Sequence, residues 1–352
     1  MTTTPKLNIL GFTKEDLADY FTQIGDKPFR AAQVIKWIHQ LGVTDFMAMT
    51  NLSLLLRQSL SENVCVQPPK IIKHLLSRDL TQKWLLQFED NTVIETVYIP
   101  EDTRGTLCIS TQVGCPMNCV FCATGKLGFK RNLTVVEIIG QVWLAVRELS
   151  EDKTTKSHVV TNVVIMGMGE PLLNFDNVVK AINLLRDDLA YGLSKYRITL
   201  STVGLVPEIK RLSKITDIAL AISLHAPNDE LRNKLLPINK KYPLKELIAA
   251  CKDFYQDHRR AVTYEYIMIN GVNDSLEHAK QLVKLLRNSN CKVNLIPCNA
   301  VADSAYKPTP QEKIDRFRDI LMAADINTIT RKTRGSDIAA ACGQLAGTKN
   351  NY

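Results

Sequence analysis

The sequence lacks the features that mark secreted and membrane-bound chains. Its first residues, MTTTPKLNILGF, have neither the basic start nor the apolar run of about 7 to 15 residues that a signal peptide carries. No stretch approaches the roughly 18 consecutive apolar residues of a membrane span, and low-complexity tracts and internal repeats are missing as well. We therefore expect a soluble, cytoplasmic protein with no membrane partner.

The expected compartment affects how the cysteines are interpreted. The 352 residues include nine cysteines, and thiols in the cytosol stay reduced, so clustered cysteines there indicate metal binding or catalysis more often than structural bridges. The composition, 45% hydrophobic and 23% charged, is that of a globular protein. The net charge of +8 is compatible with a nucleic-acid partner but does not require one.

The hydrophobic pattern divides the chain into four parts. Residues 1–75 carry apolar residues at helical spacing and predict a helical accessory domain. Residues 76–104 have the pattern of β-strands with a polar Asp-Asn hairpin turn, and they predict a short β extension. Residues 105–335 form the largest unit, and residues 336–352 are a C-terminal segment.

The largest unit alternates between buried-strand and amphipathic-helix patterns. Strands that are apolar almost throughout, separated by such helices, are typical of parallel βα units with the helices on the outside. The helices are predicted near residues 135–149, 175–186, 207–212, 244–255, 276–286 and 311–323. About six such units predict an α/β fold with a partial (β/α)6 barrel, whose chemistry is expected at the C-terminal ends of the strands.

A tight CxxxCxxC motif follows the first predicted strand of the barrel. It consists of Cys115, Cys119 and Cys122, and clustered thiolates select zinc or an iron–sulfur cluster. A structural zinc site needs four tetrahedral ligands, yet this stretch offers three cysteines and no nearby histidine. Three thiolates on a 4Fe-4S cubane leave one iron open to a ligand from outside the protein. An open iron suggests catalysis.

This motif and its neighbours resemble the radical S-adenosylmethionine superfamily. The shared features are CxxxCxxC after a first strand, Phe121 just before the last cysteine, and GMGEP at residues 167–171. In that superfamily the open iron chelates the amino and carboxylate groups of S-adenosylmethionine. The resemblance therefore implies a 4Fe-4S cluster on three cysteines and S-adenosylmethionine as cofactor, with the glycine-rich element contacting its amino group.

Two further cysteines make the resemblance more specific. Cys108 lies in RGTLCIS and Cys342 in AACGQL, and both look like the paired cysteines of the radical adenine-2 methyltransferases that act on 23S ribosomal RNA. Taken alone, Cys108 would be interpreted as a small buried hydrophobic residue. The similarity covers nearly the whole chain. It departs at Ser336, where an acidic residue is expected, and at residues 116–118 between the first two cluster cysteines.

The resemblance implies a radical reaction, because C2 of adenine is electron-poor and cannot attack a sulfonium methyl group. Cys342, as thiolate, takes a methyl group from one S-adenosylmethionine by displacement. A second S-adenosylmethionine, reduced by the cluster, yields a 5'-deoxyadenosyl radical that takes hydrogen from this methyl group, so two molecules are used per turnover. The carbon radical adds to C2, and Glu95 removes the C2 proton. Cys108 then forms a disulfide with Cys342, and reduction resets the pair.

The family also implies which residues contact S-adenosylmethionine. Some have a structural alternative, since Ser201 could cap a helix, His225 could be a hydrogen-bonded core histidine and Asn299 could be a turn residue. Their common position at the ends of predicted strands favours one shared site. The implied set is Gly169, Glu170, Ser201, Ser223, Leu224, His225 and Asn299.

The partners are less directly visible in the sequence. The resemblance implies 23S ribosomal RNA, transfer RNA methylated at the adenine 3' of the anticodon, and an electron donor such as flavodoxin, and we expect a monomer. RNA binding should depend on shape and phosphate contacts. The candidate contacts by charge are Lys27, Arg30 and Lys36, the β extension, and RKTRG at residues 331–335.

Two rival interpretations remain open at this point. Methylation of adenine at C8, as in the Cfr resistance enzymes, uses the same paired cysteines. A protein of another class, an RNA-binding protein whose cysteines hold a structural metal, would have a fourth protein ligand and no function for Cys342. Iron content would separate the two classes, since a zinc protein contains none.

Overall fold

The computed structural model describes residues 6–151, 160–299 and 306–346. The strands, in chain order, are β1 (Leu7–Asn8), β2 (Val64–Cys65), β3 (Lys70–Leu76), β4 (Gln82–Gln87), β5 (Val93–Glu101), β6 (Arg104–Cys108), β7 (Gln112–Gly114), β8 (Phe129–Asn132), β9 (Asn162–Ile165), β10 (Ile198–Thr202), β11 (Ala219–Ser223), β12 (Val262–Met268), β13 (Cys291–Pro297) and β14 (Asn327–Thr330). The α-helices are α1 (Lys14–Gln23), α2 (Arg30–Ile35), α3 (Leu54–Asn63), α4 (Ala123–Lys126), α5 (Val135–Glu151), α6 (Phe175–Arg186), α7 (Val206–Ser213), α8 (Asp229–Leu235), α9 (Leu244–His258), α10 (Leu276–Leu286) and α11 (Gln311–Met322). Within these ranges, no helix is long and apolar enough to cross a membrane.

The N-terminal part is a helical unit with a core of its own. Thr13 begins α1 with a capping box, in which the Thr13 hydroxyl and the Asp16 carboxylate each accept a bond from the other residue's backbone amide. Helix α2 continues directly into a π-helical turn, Lys36–Gln40. The apolar faces pack together through buried residues that include Leu17, Phe21, Val34, Ile38, Leu56 and Leu60. The expected helical accessory domain is therefore present.

This helical unit ends earlier than the sequence pattern indicates. Its last helix ends at Asn63, and β3 begins at Lys70, before residue 76, where we expect the β extension to begin. Strand β3 lies at the edge of the sheet, with half-exposed residues on both faces and a bulge near its start, so it lacks the regular alternation of a half-buried strand. The hairpin is confirmed, because the Phe88 N–H donates to the Thr92 carbonyl at 3.0 Å across the Asp-Asn turn.

One ten-stranded sheet carries both the barrel and the β extension. The strand order is β14-β13-β12-β11-β10-β9-β6-β5-β4-β3, with parallel pairing from β14 to β6 and antiparallel pairing from β6 to β3. Every parallel strand except β14 is followed by a helix, and the apolar faces of these helices join the main core. The α/β class and the partial barrel of six βα units are confirmed, and β14 adds one further parallel strand.

Buried groups join the helical unit to the barrel. On α5, the Trp143 indole N–H donates to the Ile38 carbonyl at 2.8 Å. The His39 Nδ1 atom lies 3.2 Å from the Tyr191 hydroxyl, and burial lowers the pKa of His39 to about 4. The imidazole is therefore neutral at physiological pH, and the contact is a hydrogen bond between neutral groups rather than an ion pair.

Candidate active site

A cavity opens at the C-terminal ends of the parallel strands, where barrel chemistry is expected. Strand ends from β9 to β13, the loop of residues 115–122 (the cluster loop) and the C-terminal segment all contribute to its wall. Nine of the predicted site residues line it: Cys115, Cys119, Cys122, Gly169, Glu170, Ser201, Ser223, His225 and Cys342. The cavity therefore brings residues from seven separate stretches of sequence to one place.

Short-range backbone contacts hold the cluster loop. The hairpin of β7 and β8 flanks it, and the Cys115 N–H donates to the Gly128 carbonyl at 3.0 Å. Gly114 has φ +76°, and a Cβ atom there would lie 1.8 Å from the Gly128 oxygen, so only glycine fits. The Cys122 N–H donates to the Cys119 carbonyl at 3.1 Å. These contacts direct the three thiols into the same cavity.

The three thiols of the cluster loop fit an iron–sulfur cluster better than a single metal ion. Burial raises the pKa of Cys115 to about 12, and burial with the nearby thiols raises that of Cys119 well above its usual range, so the thiolates need a cationic group among them. Within the described residues, no three or more His, Cys, Asp and Glu side chains converge on one metal-ion position. A zinc ion requires sulfurs about 2.3 Å away, whereas a cubane binds thiolates on separate iron atoms.

The GMGEP element forms a tight turn beside the cluster loop. Gly169 has φ +104°, and a Cβ atom there would lie 2.5 Å from the Gln112 Cβ. The Glu170 carboxylate accepts hydrogen bonds from the Leu172 N–H at 3.1 Å and the Val203 N–H at 2.9 Å. Burial raises the pKa of Glu170 to about 7. Glu170 therefore ties this turn to the end of β10, and the glycine lets the turn pack closely against Gln112.

Polar side chains at the ends of β10, β11 and β12 complete this part of the wall. The Ser201 hydroxyl donates to Glu265 Oε2 at 3.0 Å, and Glu265 is buried. His225 has φ +60°, and its Nδ1 accepts the Ile267 N–H at 3.1 Å. Burial lowers the pKa of His225 to about 3, which keeps the imidazole neutral. Ring centroids of Phe121 and His225 lie 4.9 Å apart, edge to face.

The C-terminal segment reaches the cavity and places Cys342 in its wall. Arg331 Nη1 lies 3.5 Å from the Cys342 sulfur, and Asn299 Nδ2 donates to the Cys342 carbonyl at 3.1 Å. The Ala123 N–H donates to the Gly343 carbonyl at 2.8 Å. Burial raises the pKa of Cys342, while the Arg331 guanidinium opposes this shift. Arg331 belongs to the stretch considered for RNA contact, and here it lies beside the thiol instead.

Cys108 and Cys342 meet in a smaller cavity that adjoins the first. Both line it together with Cys122 and Arg331. Cys108 lies at the end of β6, between Val97 on β5 and Val164 on β9 in the sheet. Burial raises the pKa of Cys108 to about 12, and both cysteines are free thiols. A disulfide between them remains a prediction.

Besides Cys108, three predicted site residues do not line the main cavity, and these three do not line the smaller one either. Glu95 is fully buried on β5 and forms an ion pair with Lys83, whose Nζ lies 3.5 Å from Glu95 Oε2. Leu224 is buried, and its carbonyl accepts from Arg232 Nε at 3.0 Å. Asn299 contacts the backbone of Cys342, as described above. These residues therefore support the wall or lie behind it.

Sequence reasoning missed several charged residues of the site. Glu265 interrupts the apolar strand VTYEYIMI, and Lys83 lies within QKWLLQF. A charge inside an otherwise apolar strand is the signal that could have found both, because such residues are almost never fully buried unless paired. Arg232 is fully buried and binds the carbonyls of Val203, Ser223 and Leu224. Its helix gives no comparable signal in the sequence.

Comparison with known proteins agrees with this site. Residues 109–286 match the family model of the radical SAM superfamily, and residues 7–66 match that of the ribosomal RNA large subunit methyltransferase N-terminal domain. A solved radical SAM methyltransferase from Sphaerobacter thermophilus aligns with TM-score 0.91 and 40% identity, over 97% of this chain and 100% of that chain. The fold and the site thus define a radical S-adenosylmethionine methyltransferase.

Sequence comparison narrows the class further. Proteins named dual-specificity RNA methyltransferase RlmN, from Pseudomonas putida strains F1 and W619, are 51% identical over 99% of this chain and 92% of their own length. The chain belongs to the RlmN family of dual-specificity RNA methyltransferases. The predicted resemblance is therefore confirmed, from the helical N-terminus onward.

Proposed function

We propose that this protein methylates C2 of an adenine in 23S ribosomal RNA and the adenine 3' of the anticodon in transfer RNA, with Cys342 as the methyl carrier. One observation carries the proposal: the Cys342 thiol lines the same cavity as the three cluster cysteines and an adjoining cavity with Cys108. The membership of this chain in the RlmN family supports the proposal that its substrates are RNA.

The cavity residues would hold a 4Fe-4S cluster and S-adenosylmethionine. Cys115, Cys119 and Cys122 would bind the cluster and leave one iron open, and the backbone at Gly169 would face the amino group of the cofactor. Ser201, Ser223, His225 and Asn299 complete the proposed binding set, with Leu224 and Glu170 supporting it. When bound, these groups supply an electrophilic methyl group and a carbon radical, using two S-adenosylmethionine molecules per turnover.

Cys342 is proposed to act as a nucleophile and then as the methyl carrier. Only the thiolate attacks a sulfonium methyl group at a useful rate. The Arg331 guanidinium, 3.5 Å from the Cys342 sulfur, favours the thiolate over the thiol. Burial has the opposite effect and raises the pKa of Cys342 overall, so the role proposed for Arg331 is to keep a larger thiolate fraction than burial alone would leave.

Glu95 and Cys108 are proposed to complete the reaction after the methyl carbon has bonded to C2. Glu95 takes the proton from C2, a task suited to a carboxylate because the intermediate has made that proton acidic. The Cys108 thiolate then attacks the sulfur of Cys342, so that the S–S bond forms as the S–C bond breaks. The released carbon takes a proton and becomes the methyl group, and the one remaining unpaired electron would return to the bound cluster, which leaves a disulfide and the methylated RNA. The disulfide is reduced by two electrons from an external donor, and the electron donor to the cluster is proposed to be flavodoxin-like.

The test is mass spectrometry of nucleosides from unmodified ribosomal RNA. The RNA is incubated anaerobically with reductant, reconstituted protein and S-adenosylmethionine bearing a trideuterated methyl group. We expect 2-methyladenosine lacking one of the three deuterium atoms, because a methylene passes through Cys342. Production of 8-methyladenosine would move the assignment to C8, and an intact trideuteromethyl group would exclude the radical route.

A further inference from the structure

Lys83 is a buried lysine at the centre of the β extension. It lies on β4, which pairs with both β3 and β5, and its side chain is fully buried. Moving an ammonium group out of water costs several kcal/mol, so a lysine is buried only where partners offset that cost. Burial lowers the pKa of Lys83 to about 8, which leaves it mostly charged at neutral pH.

Two contacts of Lys83 join parts of the chain that are far apart in sequence. Its Nζ lies 3.5 Å from Glu95 Oε2, and it donates to the carbonyl of Ala339 at 3.0 Å. Glu95 is the proposed base, and Ala339 belongs to the C-terminal segment, three residues before the methyl carrier Cys342. One ammonium group therefore contacts both the base and the backbone that carries the methyl group.

Neighbouring residues also hold the C-terminal segment. The turn between β3 and β4 binds it from outside: the Asp337 carboxylate accepts from the Ser77 hydroxyl and the Arg78 N–H, and the Asp79 carboxylate accepts from the Gly335 N–H. The bonds from Ser77 and Arg78 go to Asp337, whereas the preceding residue, Ser336, is exposed. Lys83 differs from these residues in that it contacts both the segment and the Glu95 carboxylate.

We propose that Lys83 is a positioning residue that couples the Glu95 base to the docked C-terminal segment. The ammonium lies 3.5 Å from the Glu95 carboxylate and so fixes the position of the base. The same group fixes the backbone just before Cys342, so the base and the carrier are held in one arrangement. This inference rests on the proposed roles of Glu95 and Cys342.

The first test is hydrogen–deuterium exchange of the cluster-free full-length protein, which is independent of catalysis. The variants are Lys83→Met, which removes both contacts, Lys83→Arg, which keeps the charge, and Lys210→Gln, a matched loss of one exposed lysine on α7. Lys83→Met should raise exchange within residues 336–346 by about tenfold, because a buried carbonyl loses its donor. Lys83→Arg should restore most of the protection, and Lys210→Gln should leave it unchanged.

The second test asks whether Lys83 acts through Glu95. Adenine methylation is compared in Lys83→Met, Glu95→Gln and the double variant. We expect Lys83→Met to lower the rate by roughly 10²-fold, the lower range of what a positioned base contributes, but to add little when Glu95 is already replaced. The variant Lys83→Met/Glu95→Leu guards against misfolding, because replacing both members of a buried ion pair is often tolerated. In this variant, hydrogen exchange within residues 336–346 should be raised as much as in Lys83→Met.

Several results would overturn the proposal. One is a Lys83→Met variant in which hydrogen exchange of residues 336–346 stays within about twofold of the wild-type rate, because the loss of a donor to a buried carbonyl predicts a larger increase. Another is an equal loss of methylation with and without the Glu95 carboxylate. Full activity of Glu95→Gln would refute Glu95 as the base and the coupling with it, whereas the exchange result would still report whether Lys83 holds the segment.

Discussion

The two walls of the active-site cavity are built in different ways. The cluster loop is shaped by contacts within a short stretch, such as the Cys115 N–H to the Gly128 carbonyl and the Cys122 N–H to the Cys119 carbonyl. The C-terminal segment has turns of its own, such as the one closed by the Ala340 N–H to the Gly335 carbonyl, but its place at the cavity depends on Lys83, Asn299 and other residues from distant elements. Ligand spacing is thus a local property of the chain, whereas the position of Cys342 is a property of the whole fold.

The largest effect is expected from a change in the cluster loop. Cys119→Ala removes one of three thiolate ligands, so the cluster should no longer assemble and methylation of adenosine should be abolished. The measurement is iron content per chain after reconstitution, together with nucleoside analysis. Cys65→Ala, a cysteine at the edge of the helical unit, is the control and should keep its iron. Full iron content in Cys119→Ala would contradict the proposed ligand set.

A second change tests whether the cluster loop depends on local backbone geometry. Gly114→Ala places a Cβ atom 1.8 Å from the Gly128 carbonyl oxygen, so we expect the free energy of unfolding to fall by about 3 kcal/mol and iron loading to fall with it. Gly128→Ala is the matched control, because it also has a positive φ but nothing lies within 4 Å of the added atom. Both variants are unfolded with denaturant, and the control should lose only about 1 kcal/mol of its free energy of unfolding. Equal losses would show that the close approach is unimportant.

A third change tests the other wall at Cys342. Arg331→Gln removes the cation whose charge lowers the pKa of the Cys342 thiol against the effect of burial. The pKa should therefore rise further, and the pH–rate profile for alkylation of Cys342 should move to higher pH. At pH 7 the rate should fall about tenfold, which corresponds to one pKa unit, and Arg331→Lys should recover part of it. Arg334→Gln is the control, and an unchanged profile in Arg331→Gln would exclude the proposed activation.

The smallest effect is expected from a hydrogen bond that joins the two walls. The Thr124 hydroxyl, just after the cluster loop, donates to the Leu345 carbonyl at 2.7 Å. Thr124→Val should raise hydrogen exchange of the C-terminal segment about fivefold, as expected for a loss of about 1 kcal/mol, and leave iron content unchanged. Thr22→Val, whose hydroxyl bonds within its own helix, should have no effect there. No change in exchange would mean that the walls are held independently.

The sequence predicted the parts of the fold that depend on local pattern. Helix α6 begins and ends as the periodicity indicates, at Phe175 and Arg186, because its apolar residues recur at helical spacing. The cluster cysteines and the GMGEP turn could likewise be found from spacing and glycine positions. The edge strand β3 was assigned to the helical part, since its burial depends on pairing with β4 rather than on its own pattern.

The site residues that could not be predicted from the sequence owe their roles to tertiary contacts. Arg331 carries the same charge as its neighbours in RKTRG, and only the turn after β14 brings it to Cys342. The pairing of Lys83 with Glu95 requires the register of β4 on β5, in which Leu85 faces Glu95 and Lys83 faces Val97. Glu265 becomes part of the site because β12 lies beside β11. The spacing of residues along the chain does not show which residues the fold brings together in this way.

The central claim is that Cys342 carries the methyl group, and a pulse-chase experiment tests it directly. Reconstituted protein is given S-adenosylmethionine with a trideuterated methyl group and no RNA, and the peptide containing Cys342 is analysed by mass spectrometry before and after unlabelled S-adenosylmethionine, reductant and RNA are added. We predict a trideuteromethyl group on Cys342 that then appears, less one deuterium, on C2 of adenosine. Labelled adenosine formed by Cys342→Ala, or formed without prior label on Cys342, would contradict the claim.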